Sequence, residues 1–387
     1  MGLLESLNRR AMDMAIPLSV HIDLTWRCNE RCIHCYLDHD DAAELSLAEL
    51  RDLLDQMADA GTMFLTLSGG EIFLRKDLFA IVEHARLRGF DIKLKTNALL
   101  IGEKEAARIA ELGVHQVQIS VYSHVPQVHD AITKVPGSLE KTLRAVGLLR
   151  ARGVHVVIAC VLMKPNKGAF EGVQTMAREA GAEFTIDPTI TPHLNGDRSI
   201  LDLNIGREDL RKIFETESLV GDLAAFTAPP GPVDDDVLDG TPCSAGHSSS
   251  YISPHGDVYP CVQFPLACGN VRQNRFLDIW QGSAGFTEVR AIRARDLPVC
   301  STCGHVGSCS RCPGLAYMEG SMYGPSSADC EKSFVRTGVA SAGMLQRAGG
   351  HAASGPLVQI AGANATPSPA RSVFPTRRSG ARASLPN

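Results

Sequence analysis

The stretch His21-Ile22-Asp23-Leu24-Thr25-Trp26-Arg27-Cys28-Asn29-Glu30-Arg31-Cys32-Ile33-His34-Cys35-Tyr36 sets an alternating run directly before three cysteines. From His21 to Trp26 every second residue is apolar, the period of a strand with one face buried. The C-x3-C-x2-C loop follows at its carboxyl end. Thiolate is a soft ligand, so crowded cysteines point to disulfide, zinc or iron–sulfur chemistry, and three thiolates fall one short of a closed tetrahedral site. A cubane held by three cysteines keeps one iron open to an outside ligand, which makes a cluster catalytic rather than structural.

Working outward, apolar strand-like runs alternate with segments of helical period from Val20 to about Ile190, the pattern of a parallel sheet covered by helices. Strands are predicted at His21–Trp26, Met63–Ser68, Asp91–Thr96, Gln116–Ser123, His155–Leu162 and Glu183–Ile190. Helices are predicted near Leu47–Ala60, Asp77–Arg88, Glu103–Leu112, Ser138–Arg152 and Gly168–Ala180, each followed by a glycine, Gly61, Gly89, Gly113, Gly153 and Gly181, where a helix prefers to stop. Six units make an α/β partial (β/α)6 TIM-like barrel, open on one side, with ligands gathering at the carboxyl ends of the strands, where the cysteine loop lies.

The cysteine spacing, with Tyr36 following, resembles the radical S-adenosylmethionine (SAM) superfamily. The resemblance implies that Cys28, Cys32 and Cys35 hold a [4Fe–4S] cluster whose open iron chelates SAM. Ser68-Gly69-Gly70-Glu71, after the second strand, is similar to that family's GGE motif, whose backbone and acid contact the SAM amino group. Lys95, Thr96 and Asn97 close the third strand and Ser120 lies on the fourth, positions where members hold the ribose and carboxylate of SAM. Taken alone, a Gly-Gly turn reads as structural and polar residues at strand ends as backbone caps. Cys160, alternating with apolar residues, reads as a small buried hydrophobe.

A second cysteine set, Cys243, Cys261, Cys300-x2-Cys303-x5-Cys309-x2-Cys312 and Cys330, resembles the SPASM extension of these enzymes, a cysteine-rich C-terminal domain with two auxiliary [4Fe–4S] clusters. Carried across by position, Cys243, Cys261 and Cys312 belong to the first and Cys300, Cys303, Cys309 and Cys330 to the second. The C-x2-C here is one residue shorter than usual, which leaves open an exchange of Cys309 and Cys312. The first set also lacks a fourth thiol, for which Cys268 and an open position are the alternatives. Two close CxxC pairs also read as zinc, which would not explain the N-terminal triplet.

The domains follow: an extension 1–19, the barrel 20–195, a bridge 196–240 with a helix at Glu208–Glu217, the SPASM domain 241–336, and a tail 337–387. The tail is basic and poor in apolar residues and is expected to be disordered. With 387 residues, 44% apolar and a charge of -5, the chain can bury a full barrel core and needs no nucleic-acid partner. No apolar segment has the length to span a bilayer, and reduced thiols suit a cytoplasmic location.

The resemblance implies an enzyme that reductively cleaves SAM and abstracts a substrate hydrogen, in length and layout like the pyrroloquinoline quinone and mycofactocin peptide maturases. Its partners would be a ribosomally made precursor peptide, a separate small recognition protein, and a flavodoxin- or ferredoxin-type reductant. Oxidation of a porphyrin or haem-precursor side chain and a non-catalytic iron–sulfur scaffold are the alternatives. Sulfatase maturation fits poorly, since its aspartate base would follow Cys261, where Val262 stands.

Overall fold

The computed structural model describes residues 2–37, 39 and 42–350. Six parallel strands form in sequence order, β1 (Ser19–Thr25), β2 (Phe64–Gly69), β3 (Asp91–Thr96), β4 (Gln116–Ser120), β5 (Val156–Val161) and β6 (Glu183–Asp187). Their alternation becomes two registered faces. Ile22, Leu67, Leu94, Val117 and Val156 stand side by side across five strands, each fully buried beneath the helices. Burying such a side chain contributes roughly 1.5–3 kcal/mol, and a slip of one residue would expose the row, so it favours this register. One residue out of phase, His21, Thr66, Lys93 and Gln116 make a polar row on the other face. Parallel sheets covered on both sides run continuously apolar, so the polar row marks a face bordering a cavity rather than core.

The covering helices are α2 (Leu47–Asp59), α3 (Leu78–Leu87), α4 (Glu103–Glu111), α6 (Ser138–Arg150) and α7 (Phe170–Glu179). At the start of α2, Ser46 Oγ accepts from Glu49 N while Ser46 N donates to Glu49 Oε2, a reciprocal cap. The glycine after each of these helices has φ between +60° and +92°, as the sequence predicts. Two further helices, α1 (Leu3–Asp13) and α5 (Pro126–Thr133), are absent from the sequence reading. α1 carries exposed Leu3 and Leu4, and α5 follows the expected fourth strand, Gln116–Ser123, in a stretch to which no element was assigned.

The stretch after residue 240 does not begin as a separate body. Strand β7 (Ser249–Ile252) pairs parallel with β1, and β8 (Asp257–Tyr259) and β9 (Gly269–Asn270) continue antiparallel, giving a nine-stranded sheet in the order β6-β5-β4-β3-β2-β1-β7-β8-β9. Phe276 and Trp280 of α12 (Phe276–Gly282) and Phe286 of α13 (Ala284–Ala291) join the barrel core. The bridge carries α8 (Arg207–Phe214), matching the helix expected there, and the short helices α9 (Glu217–Val220), α10 (Leu223–Thr227) and α11 (Asp235–Asp239).

Beyond α14 (Pro313–Met318) and α15 (Ser327–Thr337), a last helix α16 (Ala342–Gly350) occupies part of the stretch read as disordered. Its Ala342 N donates to Cys303 Sγ and Gly343 packs on Cys330, so the second cysteine set orders it. The rest of the expected tail, 351–387, lies outside the described residues. Among the described residues no helix is long and apolar enough to cross a membrane.

Candidate functional site

A cavity of about 510 Å³ lies over the polar face of the sheet, and the thiols of Cys28, Cys32 and Cys35 all line it. The loop that carries them is pinned from three sides. Arg31 N and Ile33 N donate to the carbonyls of Thr133 and Ile132 at the end of α5, and Arg31 Nη1 donates back to the Cys28 carbonyl. Asn97 Nδ2 donates to Asn29 Oδ1 at 2.7 Å. The Gly-Gly turn closes the third side: Gly70 N and Glu71 N donate to the carbonyls of Thr25 and Arg27. A Cβ on Gly69 would sit 2.1 Å from Thr25 O, and one on Gly70 2.2 Å from Arg27 O. Both glycines are therefore required for β2 to lie against the chain entering the loop, beside their places on the cavity wall.

Glu71 stands behind the cavity wall. It is fully buried and does not line the cavity, and its carboxylate accepts from Phe73 N, from Thr96 Oγ1 and from Asn97 N at 2.8–3.0 Å. Burial raises its pKa against those hydrogen bonds. It acts as a strut that fixes the end of β3, and through Asn97 the cysteine loop. Ser68, Thr96, Asn97 and Ser120 do line the cavity.

The surroundings of the three thiols fit a cluster. Burial pushes the Cys28 thiol up to about 11 and that of Cys32 higher still, with Glu30 adding to the rise at Cys32. Glu30 itself is raised to about 7 by burial. Thiols held protonated in this way lose their protons when iron binds. Glu30 N already donates to Cys28 Sγ, an arrangement that stabilises a sulfur once it carries charge.

The second set divides in space. Cys300, Cys303, Cys309 and Cys330 line one small cavity of about 220 Å³. Cys312 lies elsewhere: it caps α14, accepting from Leu315 N, and its electrostatic neighbour is Cys261, which in turn neighbours Cys243. The shortened spacing thus causes no exchange of Cys309 and Cys312 between the two groups. Among the described residues no three His, Cys, Asp or Glu side chains gather closely enough for a single metal ion. The four thiols surround a space instead, and two buried nitrogens on its wall, His305 Nδ1 and Arg311 Nη1, have no hydrogen-bond partner. Arg311 Nη1 is a donor, and an orphaned donor beside four thiols suits a cluster with sulfide acceptors; on His305 it is Nε2 that donates, to the Val339 carbonyl.

Cys268 is placed apart from Cys243, Cys261 and Cys312. Its sulfur rests against Leu266, Ser283 and Gly285 near Arg290, at the edge of the barrel core. The surroundings of Cys268 thus give no support to its expected role as fourth ligand, and Gln263 stands by the three thiols, its Oε1 3.9 Å from Cys312 Sγ. Cys160 is buried in the core, as read. The sequence reading missed α5 as the platform of the cysteine loop, and its signal was Pro126, a residue suited to a helix start.

Comparison with known proteins gives the same picture. The radical SAM superfamily profile matches residues 22–173, and the SPASM iron–sulfur cluster-binding domain matches 243–304. The chain is 33% identical over 320 residues to the PqqA peptide cyclase of Xanthomonas axonopodis pv. citri, covering 78% of this chain and 84% of that protein. It is 29% identical over 307 residues to the mycofactocin maturase MftC of Mycobacterium tuberculosis, covering 76% and 77%. It is 27% identical over 325 residues to the AdoMet-dependent heme synthase of Oleidesulfovibrio alaskensis, covering 77% and 83%. Among solved structures, Streptococcus suis SuiB bound to S-adenosylmethionine superposes with a TM-score of 0.67 at 16% identity, over 82% of this chain and 77% of that one, a likeness of fold.

Proposed function

Since this chain belongs to the radical SAM superfamily and carries the SPASM extension, and is an enzyme using [4Fe–4S] clusters and SAM, we propose that it modifies a ribosomally made precursor peptide. When bound, cluster and SAM together supply a 5′-deoxyadenosyl radical, with methionine as the other product, and that radical removes a hydrogen atom from the substrate. The chain's own work is placement. Cys28, Cys32 and Cys35 would hold the first cluster, leaving one iron for SAM. Gly69 and Gly70 give SAM a wall without side chains, and Ser120 offers a hydroxyl across the cavity. Glu71 would keep Thr96 and Asn97, and so the loop, in position. Cys243, Cys261 and Cys312 would serve one auxiliary cluster and Cys300, Cys303, Cys309 and Cys330 the other.

The observation that carries this reading is that three thiols, the Gly-Gly backbone and Gln263 of the SPASM region share one cavity. Both regions therefore meet the same substrate. Two relatives are a peptide cyclase and a mycofactocin maturase, and SuiB has been crystallised with its precursor peptide. A separate recognition protein would deliver the peptide, and a flavodoxin- or ferredoxin-type donor in a reducing cytoplasm would supply the electron.

Anaerobic reconstitution followed by iron counting and a dithionite-driven assay for 5′-deoxyadenosine tests it. About twelve irons, four per cubane, with SAM cleavage stimulated by a precursor peptide, is the expected result. SAM cleavage that responds to no peptide, alone or with a recognition protein, removes the peptide reading. The similarity to the heme synthase favours tetrapyrrole oxidation as a second reading. An absorbance titration with a porphyrin separates the two.

A further inference from the structure

The third strand offers the cavity a cation that nothing in the protein satisfies. Alternation on β3 turns Ile92 and Leu94 into the core and Lys95 to the cavity. The Lys95 ammonium has three donors to place and makes no hydrogen bond or ion pair among the described residues. Lys95 is half-buried and its ammonium faces the cavity rather than a protein partner, so a ligand entering there meets a cation already partly stripped of water.

The acids near enough to feel it are engaged elsewhere. Asp23, fully buried, accepts from Tyr251 Oη at 2.8 Å, Trp26 Nε1 at 3.1 Å and His21 Nε2 at 3.2 Å. Asp187 accepts from Thr189 N and stands three strands away on β6. Lys93, below it on the same strand, adds like charge.

We propose that Lys95 anchors a carboxylate of the peptide substrate, so that the modified segment carries an acidic side chain or a free C-terminus. This deepens the peptide reading and rests on it. Carboxylate is the fitting partner: it is the common anion of peptides and accepts two or more of the ammonium's hydrogens. SAM also has a carboxylate, but the position of Lys95 argues for the substrate. Thr96 and Asn97, which line the cavity too, are tied through Glu71 and Asn29 to the cysteine loop, whereas Lys95 has Cys261 as an electrostatic neighbour, and Val262 and Gln263 line the same cavity. It thus stands between the three-cysteine loop and the SPASM thiols, where a peptide must pass.

The test uses reconstituted full-length enzyme, as the natural sequence and as Lys95→Met and Lys95→Arg. Binding is measured calorimetrically for SAM, for the capped tripeptides acetyl-Ala-Glu-Ala-amide and acetyl-Ala-Gln-Ala-amide, for acetyl-Ala-Ala-Ala with a free C-terminus, and for glutarate. With Lys95 present the Glu peptide or the free C-terminus binds about tenfold or more tighter than the Gln peptide, the scale of a hydrogen bond to a charged group. Lys95→Met removes that preference, Lys95→Arg keeps most of it, and SAM affinity stays within about threefold, under half the scale of one such bond. Equal binding of the Glu and Gln peptides to the natural enzyme overturns the proposal. So does a loss confined to SAM, which would make Lys95 part of the SAM pocket. If no peptide binds while glutarate does, in a Lys95-dependent manner, the carboxylate site stands and the peptide reading fails. If neither peptides nor glutarate bind, the carboxylate site itself fails.

Discussion

Two of the three thiol groups in this protein are built on opposite plans. Cys28, Cys32 and Cys35 lie on a loop at the mouth of a cavity of about 510 Å³ that runs down the polar face of the barrel sheet. Cys300, Cys303, Cys309 and Cys330 enclose a space of about 220 Å³, with Cys303 and Cys330 buried. Three thiols leave an iron free for an outside ligand, and the large cavity gives that ligand and a substrate somewhere to sit. Four thiols leave no iron free, and the small cavity has no room for a substrate. The loop site is also held by distant parts of the chain, α5, the Gly-Gly turn and Asn97, whereas the four thiols of the closed site lie close together in sequence, with Val237, Gly240, Thr241 and Pro242 of the bridge completing its wall. Openness and remote support belong together, because a site that admits a ligand cannot be stabilised by filling its own interior.

Breaking one site should therefore spare the other. Replacing Cys28, Cys32 and Cys35 together by alanine is expected to abolish 5′-deoxyadenosine formation while about two-thirds of the iron of three cubanes remains, as measured by iron counting and Mössbauer spectroscopy. Loss of all iron would show the sites to be coupled. Gly70→Ala comes next. Its Cβ would meet Arg27 O at 2.2 Å, and backbone cannot step aside as a side chain can, so about 3 kcal/mol or more of destabilisation is expected in denaturant unfolding. SAM cleavage should fall with it, while the absorbance of the auxiliary clusters persists.

The support of the open loop should also be sensitive to acid. His129 on α5 is buried, its Nδ1 accepts from Tyr122 N, and burial lowers its pKa to about 4. A histidine whose folded pKa is depressed stabilises above the unfolded value and loses that contribution as pH falls. Between about pH 6.5 and 4 the fold should weaken by up to about 3 kcal/mol from this group. His129→Gln, with an amide oxygen for the same N–H, should flatten that slope in unfolding curves recorded across the interval. An unchanged slope would remove His129 from the account.

The closed site gives the smallest effect. Arg311 donates to the carbonyls of Met322 and Gly324 but leaves Nη1 unpartnered beside the four thiols. A fixed cation favours the more negative, reduced cluster. Arg311→Met should lower the potential of one auxiliary cluster by on the order of 50 mV, close to a tenfold change for one electron, in an EPR-monitored titration. SAM cleavage with excess dithionite should be unaffected.

How much of this was legible varies with how local the cause is. His21 to Trp26 alternates visibly because a strand's faces are decided by neighbours two residues apart, and five glycines mark helix ends because each needs its own φ. The cysteine spacings give the two thiol sets, since ligands of one cluster lie close along the chain. Residues whose surroundings depend on a distant partner were less legible. Glu71 looked like a ligand acid because its neighbours are glycines, yet Thr96 and Asn97 draw it inward. Cys268 looked available because it follows Cys261 by seven residues, yet Ser283 and Gly285 take its sulfur. Helix α16 forms in a stretch of weak composition because Cys303 and Cys330 receive its first turn.

The sequence by itself determined the six βα units, the family and the sorting of cysteines into an open triplet and a richer C-terminal set. Periodicity and close spacing are properties of neighbouring residues, so they survive without any knowledge of the fold. Tertiary structure alone decided that β7 would join β1 in one sheet, that α5 would carry the cysteine loop, and that Lys95 would face a shared cavity without a partner. Each of these depends on which surfaces meet after chain segments tens to hundreds of residues apart are brought together, and burial and hydrogen bonding at those meetings leave no mark in the local pattern.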